Sequence, residues 1–122
     1  MKILAIDDDK DLTKLIKNTL KNEYEVETYN NASAIDPKIF SQFDLIILDI
    51  MMPEMNGFEF LEKYRSLIDV PIIILTAKDF EKDKLEGFAL GADDYVTKPF
   101  SINELRARVE AHLRREKGEK NT

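Results

Sequence analysis

Short apolar segments alternate with amphipathic segments along the whole chain. Five of the apolar segments have the length and the Ile, Leu and Val content of β-strands. We predict strands over Lys2–Ile6, Glu25–Tyr29, Leu45–Leu48, Pro71–Leu75 and Tyr95–Thr97. Three of them contain nearly continuous apolar runs, which is typical of strands buried on both faces in a parallel sheet covered by helices.

The segments between the strands have helical periodicity in four cases. In chain order, their spaced residues are Leu12, Leu15, Ile16 and Leu20; Phe58, Leu61, Tyr64 and Leu67; Phe80, Lys84, Leu85, Phe88 and Ala89; and Ile102, Leu105, Val109 and Leu113. The third of these patterns is the weakest. The last helix starts with Ser101-Ile102-Asn103-Glu104, a capping-box pattern. Segment 32–40 contains Pro37, which a helix tolerates only in its first turn, so we predict a short or irregular helix there.

The alternation of strand and helix, repeated five times, predicts an α/β fold with a parallel sheet. The 122 residues correspond to one domain. Because crossovers between parallel strands are right-handed, the simplest topology is a doubly wound, five-stranded sheet of order 2-1-3-4-5 with five helices.

Composition removes several classes of site. The chain has no cysteine, which excludes disulfides, thiolate metal sites and a cysteine nucleophile. Its single histidine, His112, excludes sites that need two imidazoles, and we interpret it as a surface residue of the last helix without a partner. No apolar run approaches the ~20 residues of a membrane span, and no signal peptide is evident. We therefore expect a cytoplasmic protein without a membrane partner.

Charge is distributed unevenly. The net charge is −6, yet residues 98–122 carry seven Lys and Arg against four Glu. An acidic body disfavours direct binding to nucleic acid, since phosphate neutralisation supplies most non-specific affinity. The basic end is too short for a DNA-binding module, and its simplest interpretation is the solvated face of the last helix.

Polar residues follow the predicted strands at one edge of the sheet. Asp7, Asp8 and Asp9 follow strand 1, Asp49 follows strand 3, Thr76 follows strand 4 and Lys98 follows strand 5. Open α/β sheets bind ligands at this edge where the strand order reverses, here between strands 1 and 3. Carboxylates gathered there would repel one another, and a hard divalent cation such as Mg²⁺ removes the conflict.

A carboxylate beside Mg²⁺ can attack phosphorus and form an aspartyl phosphate. Such a transfer needs mainly positioning and positive charge around the phosphoryl oxygens, which Mg²⁺ and Lys98 would supply, with a hydrogen bond from Thr76. The chain has no glycine-rich phosphate-binding loop, so the phosphoryl group is expected to arrive from another molecule.

Five stretches together resemble the receiver domain of bacterial two-component response regulators, the CheY-like fold. They are Ile3–Asp9, Asp44–Pro53, Met55–Phe58, Pro71–Ala77 and Gly91–Phe100. Each stretch alone is moderately specific, whereas all five in this order and spacing are highly specific. The resemblance covers residues 1–117.

The resemblance implies a role for each matching residue. Asp49 would be the phosphoacceptor, and a histidine kinase would be the donor. Asp8 and Asp49 would bind Mg²⁺ directly together with the backbone carbonyl of Met51, and Asp7 would act mainly through water. The domain would not be an enzyme in the usual sense, although it would modify itself from small donors and have weak autophosphatase activity.

The resemblance also implies a switch. Thr76 would hydrogen-bond the phosphoryl group and Lys98 would pair with it. Tyr95 would turn inward when Thr76 moves towards the phosphate. The peptide bond between Lys98 and Pro99 would be cis.

The end of the chain resembles the OmpR/PhoB-type subfamily, which forms a homodimer on its fourth helix, fifth strand and fifth helix when phosphorylated. The positions of that subfamily's crossed ion pairs are complementary here: Lys84 with Glu104, Asp94 with Arg108, and Asp93 with Arg115. Such proteins continue into a DNA-binding domain that controls transcription. Residues 118–122 would then be a tail or the start of a linker to an output domain absent from this chain.

Two other functions are compatible with a doubly wound sheet. A haloacid-dehalogenase-type phosphatase also uses an aspartate nucleophile and Mg²⁺, but its D-x-D-x-[TV] motif would place Thr or Val where this chain has Asp11. A pseudo-receiver, which is never phosphorylated, would lack part of the set formed by the acids, the threonine and the lysine. That whole set is present, so the phosphoacceptor is the favoured prediction.

Overall fold

A computed structural model of the protein describes residues 1–116. The predicted domain boundary at residue 117 and the predicted tail 118–122 lie outside this range. The strands are β1 (Lys2–Ile6), β2 (Glu25–Tyr29), β3 (Leu45–Leu48), β4 (Ile72–Thr76) and β5 (Asp94–Thr97). The α-helices are α1 (Lys10–Leu20), α2 (Gly57–Tyr64), α3 (Glu81–Ala89) and α4 (Ile102–Glu116).

The five strands form one parallel sheet of order β2-β1-β3-β4-β5. This is the predicted topology, and the strand boundaries agree with prediction to within one residue. The order reverses between β1 and β3, where Ile6 lies in register with Leu48. The residues that follow these two strands therefore leave the sheet side by side.

Apolar side chains cover both faces of the sheet. On one face, strand residues such as Ile3 and Ile47 pack with Ile16 of α1 and Val109 of α4. On the other face, Leu48 and Phe60 belong to a larger cluster. Burial on both sides explains why the sequences of β1, β3 and β4 are continuously apolar rather than alternating, whereas the edge strands β2 and β5 contain polar residues.

The connection between β2 and β3 is the predicted irregular element. It contains two 3₁₀ helices, Ala32–Ala34 and Pro37–Gln42. Asp36 caps the second by accepting from the Lys38 N–H at 3.0 Å, and Pro37 occupies its first turn. A proline there removes an N–H group that has no partner in a helix anyway. A third 3₁₀ turn, Arg65–Leu67, follows α2.

Helix α3 faces the sheet differently from what its sequence pattern suggests. Three apolar residues of that pattern are largely exposed: Phe80 (68%), Leu85 (62%) and Phe88 (48%). The buried residues of α3 are Asp83 and Gly87. The apolar pattern therefore marks the more exposed face of this helix, where the Phe88 ring lies 6.3 Å from the Tyr95 ring.

Candidate functional site

Three carboxylates converge at the end of the sheet where the strand order reverses. Asp7 and Asp8 follow β1, and Asp49 follows β3. The Asp49 N–H donates to the Ile6 carbonyl at 2.9 Å, so the hydrogen bonding between β1 and β3 continues one residue beyond the end of β3. One oxygen from each of the three carboxylates lies within 4.8 Å of the others. Asp7 and Asp49 are each only 3% exposed, whereas Asp8 is exposed. The spatial convergence predicted from topology is therefore present.

Lys98 brings the positive charge to this cluster. Its Nζ lies 2.9 Å from Asp7 Oδ2 and 3.5 Å from Asp49 Oδ2. Burial by itself lowers the pKa of Lys98, but the hydrogen bond to Asp7 and the charge of Asp49 outweigh this effect and raise that pKa. The ammonium group therefore stays charged. The Lys98–Pro99 peptide bond is cis, as the family resemblance implies.

Asp7 is the most strongly perturbed acid of the site. Burial raises its pKa from 3.8 to about 6, and the charge of Asp49 adds to the rise. The Asp9 N–H, which donates to Asp7 Oδ1 at 2.9 Å, and the Lys98 ammonium act in the opposite direction. One ammonium group is thus insufficient compensation for the buried carboxylates.

The backbone around Asp49 is tightly constrained. Its Oδ1 accepts a hydrogen bond from the Met51 N–H at 3.2 Å. Gly57, the first residue of α2, donates its N–H to the Ile50 carbonyl at 2.9 Å. A Cβ atom at residue 57 would lie 2.4 Å from the Asp49 carbonyl oxygen. The absence of a side chain there allows α2 to begin directly against the backbone of Asp49 and Ile50.

Thr76 and Tyr95 lie on the neighbouring strands and meet at one loop residue. Thr76 is fully buried, and its Oγ1 is 3.4 Å from the N–H of Lys78. Tyr95 is turned inward and donates its hydroxyl to the Lys78 carbonyl at 2.6 Å. Burial, followed by the charges of Asp83 and Asp49, raises the pKa of Tyr95 to about 12, so the phenol remains protonated.

Sequence reasoning missed Asn30 as a supporting residue. Its Nδ2 donates to the Asp7 carbonyl at 2.7 Å and to Thr13 Oγ1 at 3.2 Å. It thereby connects the end of β2 to the end of β1 and to α1. The available signal was an amide side chain directly after β2, at the same sheet edge as the acids.

The face formed by α3, β5 and α4 contains the residues predicted to pair across a dimer, and several already have partners within the chain. Arg108 contacts Asp94 at 2.8 Å and Glu104 at 3.0 Å. The interpretation of His112 as a surface residue without a partner is wrong. Its Nε2 lies 3.1 Å from Asp94 Oδ2, and its side chain is mostly buried.

The remaining predicted dimer residues differ in their surroundings. Asp93 pairs with Arg65 at 3.3 Å and accepts the Ile72 N–H at 2.8 Å. Lys84 makes no ion pair with any residue in the range 1–116. Arg115 lies on the exposed part of α4. Among the residues predicted to pair across the dimer, Lys84 therefore offers a partly exposed ammonium group, whereas the charges of Asp93, Asp94, Glu104 and Arg108 are already engaged within the chain.

The donor set fits a magnesium ion. Three carboxylates supply oxygen ligands, which Mg²⁺ prefers, and their mutual distances allow one ion to contact them together. A divalent cation would also offset the burial and the charge of Asp49, which together raise the pKa of Asp7. Asp8, which is exposed, leaves one side of the cluster open to solvent.

Comparison with known proteins defines the class. Residues 3–110 match the family described as the response regulator receiver domain. The chain belongs to this family, and it is the receiver domain of a two-component response regulator. Receiver domains are phosphoacceptors rather than enzymes in the usual sense. No helix among residues 1–116 is long and apolar enough to cross a membrane.

Two curated relatives resemble the chain over nearly its whole length. It is 48% identical to the transcriptional regulatory protein SpaR of Bacillus subtilis over 120 residues, covering 98% of this chain and 54% of SpaR. It is 47% identical to the nisin biosynthesis regulatory protein NisR of Lactococcus lactis subsp. lactis over 121 residues, covering 98% and 53%. The chain thus spans about half the length of these relatives.

The fold is also that of solved receiver structures. The N-terminal domain of the nisin resistance regulator NsrR, described as a lantibiotic response regulator, superposes with a TM-score of 0.81 at 34% identity. The match covers 92% of this chain and 97% of that domain.

Proposed function

We propose that the protein accepts a phosphoryl group on Asp49 from a histidine kinase, with Mg²⁺ bound by the adjacent acids. The observation that carries this proposal is the convergence of Asp7, Asp8, Asp49 and Lys98 at one sheet edge. A reactive carboxylate, a cation site and a fixed ammonium group are the elements that phosphoryl transfer requires.

In the proposed transfer, an Asp49 carboxylate oxygen attacks the phosphorus of a phosphohistidine. The new P–O bond forms as the P–N bond breaks, and the departing imidazole nitrogen takes up a proton from solvent. Lys98, already 3.5 Å from Asp49 Oδ2, stabilises negative charge on the phosphoryl oxygens. Thr76 would donate its hydroxyl to the same group after a movement of its loop.

Asp8 and Asp49 would hold Mg²⁺ directly together with the Met51 carbonyl, and Asp7 would act mainly through water. When bound, the ion supplies positive charge that neutralises the phosphoryl oxygens. The direct contact between Asp7 and Lys98 supports an indirect role for Asp7, because its Oδ2 is already engaged at 2.9 Å.

The added phosphoryl group would act as a switch. It brings a charge of about −1.5 to −2 and three acceptor oxygens to the end of the sheet. Movement of Thr76 towards it would be coupled to Tyr95, since both side chains contact Lys78. The result would be a shift between two arrangements of the β4–α3 loop and Tyr95.

We assign the protein to the OmpR/PhoB-type subfamily and propose that phosphorylation produces a homodimer through α3, β5 and α4. These elements are the fourth helix, fifth strand and fifth helix of the family. The names of SpaR and NisR describe regulation of transcription and of biosynthesis. A cytoplasmic regulator would therefore contact DNA through an output domain, with residues 1–117 as its receiver.

The test is incorporation of phosphate from acetyl phosphate with Mg²⁺, followed by intact-protein mass spectrometry. The wild type should gain one phosphoryl group, and chelation of Mg²⁺ should abolish the gain. Asp49→Asn should remove it, whereas the control Asp11→Asn changes an exposed acid of α1 and should retain it. Modification of Asp49→Asn at the wild-type rate would disprove the assignment. Continuous turnover of phosphomonoesters would instead favour the phosphatase alternative.

A further inference from the structure

The buried face of α3 contains two residues without apolar side chains. Asp83 and Gly87 lie one turn apart and are both buried. A Cβ atom at residue 87 would lie 2.8 Å from Ile74 Cδ1 and 3.2 Å from the Tyr95 ring. The ring of Tyr95 therefore packs directly against the helix at Gly87, and Asp83 lies one turn nearer to the start of the helix.

The carboxylate of Asp83 is buried and incompletely satisfied. The residue is 4% exposed, and its Oδ2 has no hydrogen-bond partner among the described residues. Its Oδ1 lies 3.6 Å from the Lys78 ammonium nitrogen. Burying a carboxylate in this way is unfavourable unless a cation compensates it, so Lys78 is the partner that makes the arrangement tolerable.

The helix dipole does not explain why Asp83 is buried. An acid in the first turn of a helix is stabilised by the positive N-terminal end. Glu81 occupies the same turn and obtains this benefit while exposed to solvent. The burial of Asp83 therefore has a different basis, and the ion pair with Lys78 is the contact that distinguishes it.

Lys78 is held at three points. Its ammonium group faces Asp83, its carbonyl accepts the Tyr95 hydroxyl at 2.6 Å, and its N–H points to Thr76 Oγ1 at 3.4 Å. One loop residue thus joins the start of α3 to the aromatic ring on β5 and to the hydroxyl at the end of β4. Loss of any one of these contacts should therefore change the geometry of the other two.

We propose that Asp83 is a positioning residue: by pairing with Lys78 it holds the β4–α3 loop where the Lys78 carbonyl binds the Tyr95 hydroxyl. The inward position of Tyr95 then depends on this ion pair, of which only the carboxylate is buried, as well as on Thr76. The consequence for phosphorylation rests on the function proposed above. The dependence of Tyr95 on Asp83 does not.

The first experiment observes Tyr95 without any phosphoryl donor. The four tyrosines are replaced biosynthetically by 3-fluorotyrosine, and the Tyr95→Phe variant assigns the Tyr95 resonance in the fluorine NMR spectrum. Asp83→Asn and Lys78→Met should each shift or broaden this resonance in the same way. The double variant should match either single variant. Lys78→Arg, which keeps a positive charge opposite Asp83, should leave the resonance at its wild-type position.

The control is Glu81→Gln, which removes an exposed acid from the same turn and should leave the Tyr95 resonance unchanged. Urea unfolding shows whether each variant is folded. If Asp83→Asn fails to fold, Lys78→Met still decides the question, since it alters a side chain that is 42% exposed. An unshifted Tyr95 resonance in the folded variants would overturn the proposal, as would effects that simply add in the double variant.

The second experiment measures the rate at which acetyl phosphate modifies the protein. Asp83→Asn should slow it at least threefold, and adding Lys78→Met to that variant should slow it no further. A wild-type rate for Asp83→Asn would overturn the link to phosphorylation. If instead the wild type is never modified while its Tyr95 resonance responds as expected, the proposed function fails and the role of Asp83 stands.

Discussion

A buried acid at neutral pH destabilises a fold unless positive charge compensates it, and Asp7 illustrates the point. Its side chain is almost completely buried, and a single ammonium group, that of Lys98, must also serve Asp49. Burial consequently raises the pKa of Asp7 to about 6. At the scale of single residues, the three acids form a cluster that could hold a divalent cation, and the charge of such an ion would offset the cost of burying Asp7.

This gives a prediction about stability and pH. Because the folded-state pKa of Asp7 lies above its ordinary 3.8, the metal-free folded protein binds more protons than the unfolded chain between about pH 4 and pH 6. Stability from this group therefore falls as the pH rises through that window and is lowest above it. Asp7→Asn should raise the free energy of unfolding at pH 7 by up to about 3 kcal/mol in metal-free buffer, measured by urea denaturation.

The difference between Asp7→Asn and the wild type should shrink towards zero at pH 4, where Asp7 is neutral in the folded protein. Mg²⁺ should stabilise the wild type as it binds. Asp11→Asn serves as the control, since Asp11 is exposed and its replacement should change stability by less than ~0.5 kcal/mol. A gain for Asp7→Asn that is equal at pH 4 and pH 7 would contradict the explanation.

At the scale of elements, the three central strands β1, β3 and β4 were predictable because burial on both faces leaves an unambiguous apolar run. The irregular connection after β2 was also predictable, since Pro37 restricts where a helix can begin. The orientation of α3 was not. Its apolar residues Leu85 and Phe88 lie outside, while Asp83 and Gly87 face the sheet. A periodic pattern defines a helix and its faces, but it does not say which face is buried when the helix also presents an apolar surface.

Gly57 provides a test of how closely α2 must approach the phosphoacceptor strand. A Cβ there would lie 2.4 Å from the Asp49 carbonyl oxygen and 2.8 Å from Ile50 Cα, and both are backbone atoms that cannot rotate away. Gly57→Ala should therefore cost about 2–3 kcal/mol of unfolding free energy by urea denaturation. It should also slow modification of Asp49, because the backbone beside the carboxylate must move.

Gly87→Ala is the matched comparison. The atoms nearest to its new methyl group belong to the side chains of Ile74 and Tyr95, which can adjust. Alanine also gains up to ~1 kcal/mol of helix propensity over glycine within a helix. Its net cost should accordingly be smaller than that of Gly57→Ala. Equal stabilities for the two variants would show that the close approach at Gly57 is not rigid.

At the scale of the whole molecule, topology determines which residues meet and side-chain conformation determines how they pair. The strand order alone predicts that Asp7, Asp8 and Asp49 converge, because parallel strands end at one edge. The partners of His112 and Lys78 were beyond such reasoning. Each pair joins side chains from different elements, and its formation depends on rotamers and on what else is buried nearby.

The same distinction determines how the proposed dimer should be tested. Asp94 and Arg108 already pair within one chain. Replacing that pair by the same pair between two chains should therefore change the free energy of dimerisation little. Lys84 has no ion-pair partner among residues 1–116. Glu104 lies on the neighbouring helix of the same face and contacts Arg108 of its own chain at 3.0 Å, so it would contact Lys84 of a second copy in addition to this exposed pair. An exposed ion pair contributes only ~0–1 kcal/mol. A two-fold dimer would form the Lys84–Glu104 contact twice, so the charges at these two positions should have a larger effect on which partner is chosen than one such pair would.

We therefore expect Lys84→Glu and Glu104→Lys, each activated with beryllofluoride and Mg²⁺, to dimerise about tenfold more weakly than the wild type. In each variant, both contacts across the two-fold axis bring like charges together. An equimolar mixture should recover dimers, since one subunit of each kind makes both contacts favourable. Sedimentation velocity measures all three samples. Dimers of wild-type strength in either variant alone, or a mixture that stays monomeric, would exclude the α3–β5–α4 face as the interface and leave the phosphoacceptor assignment intact.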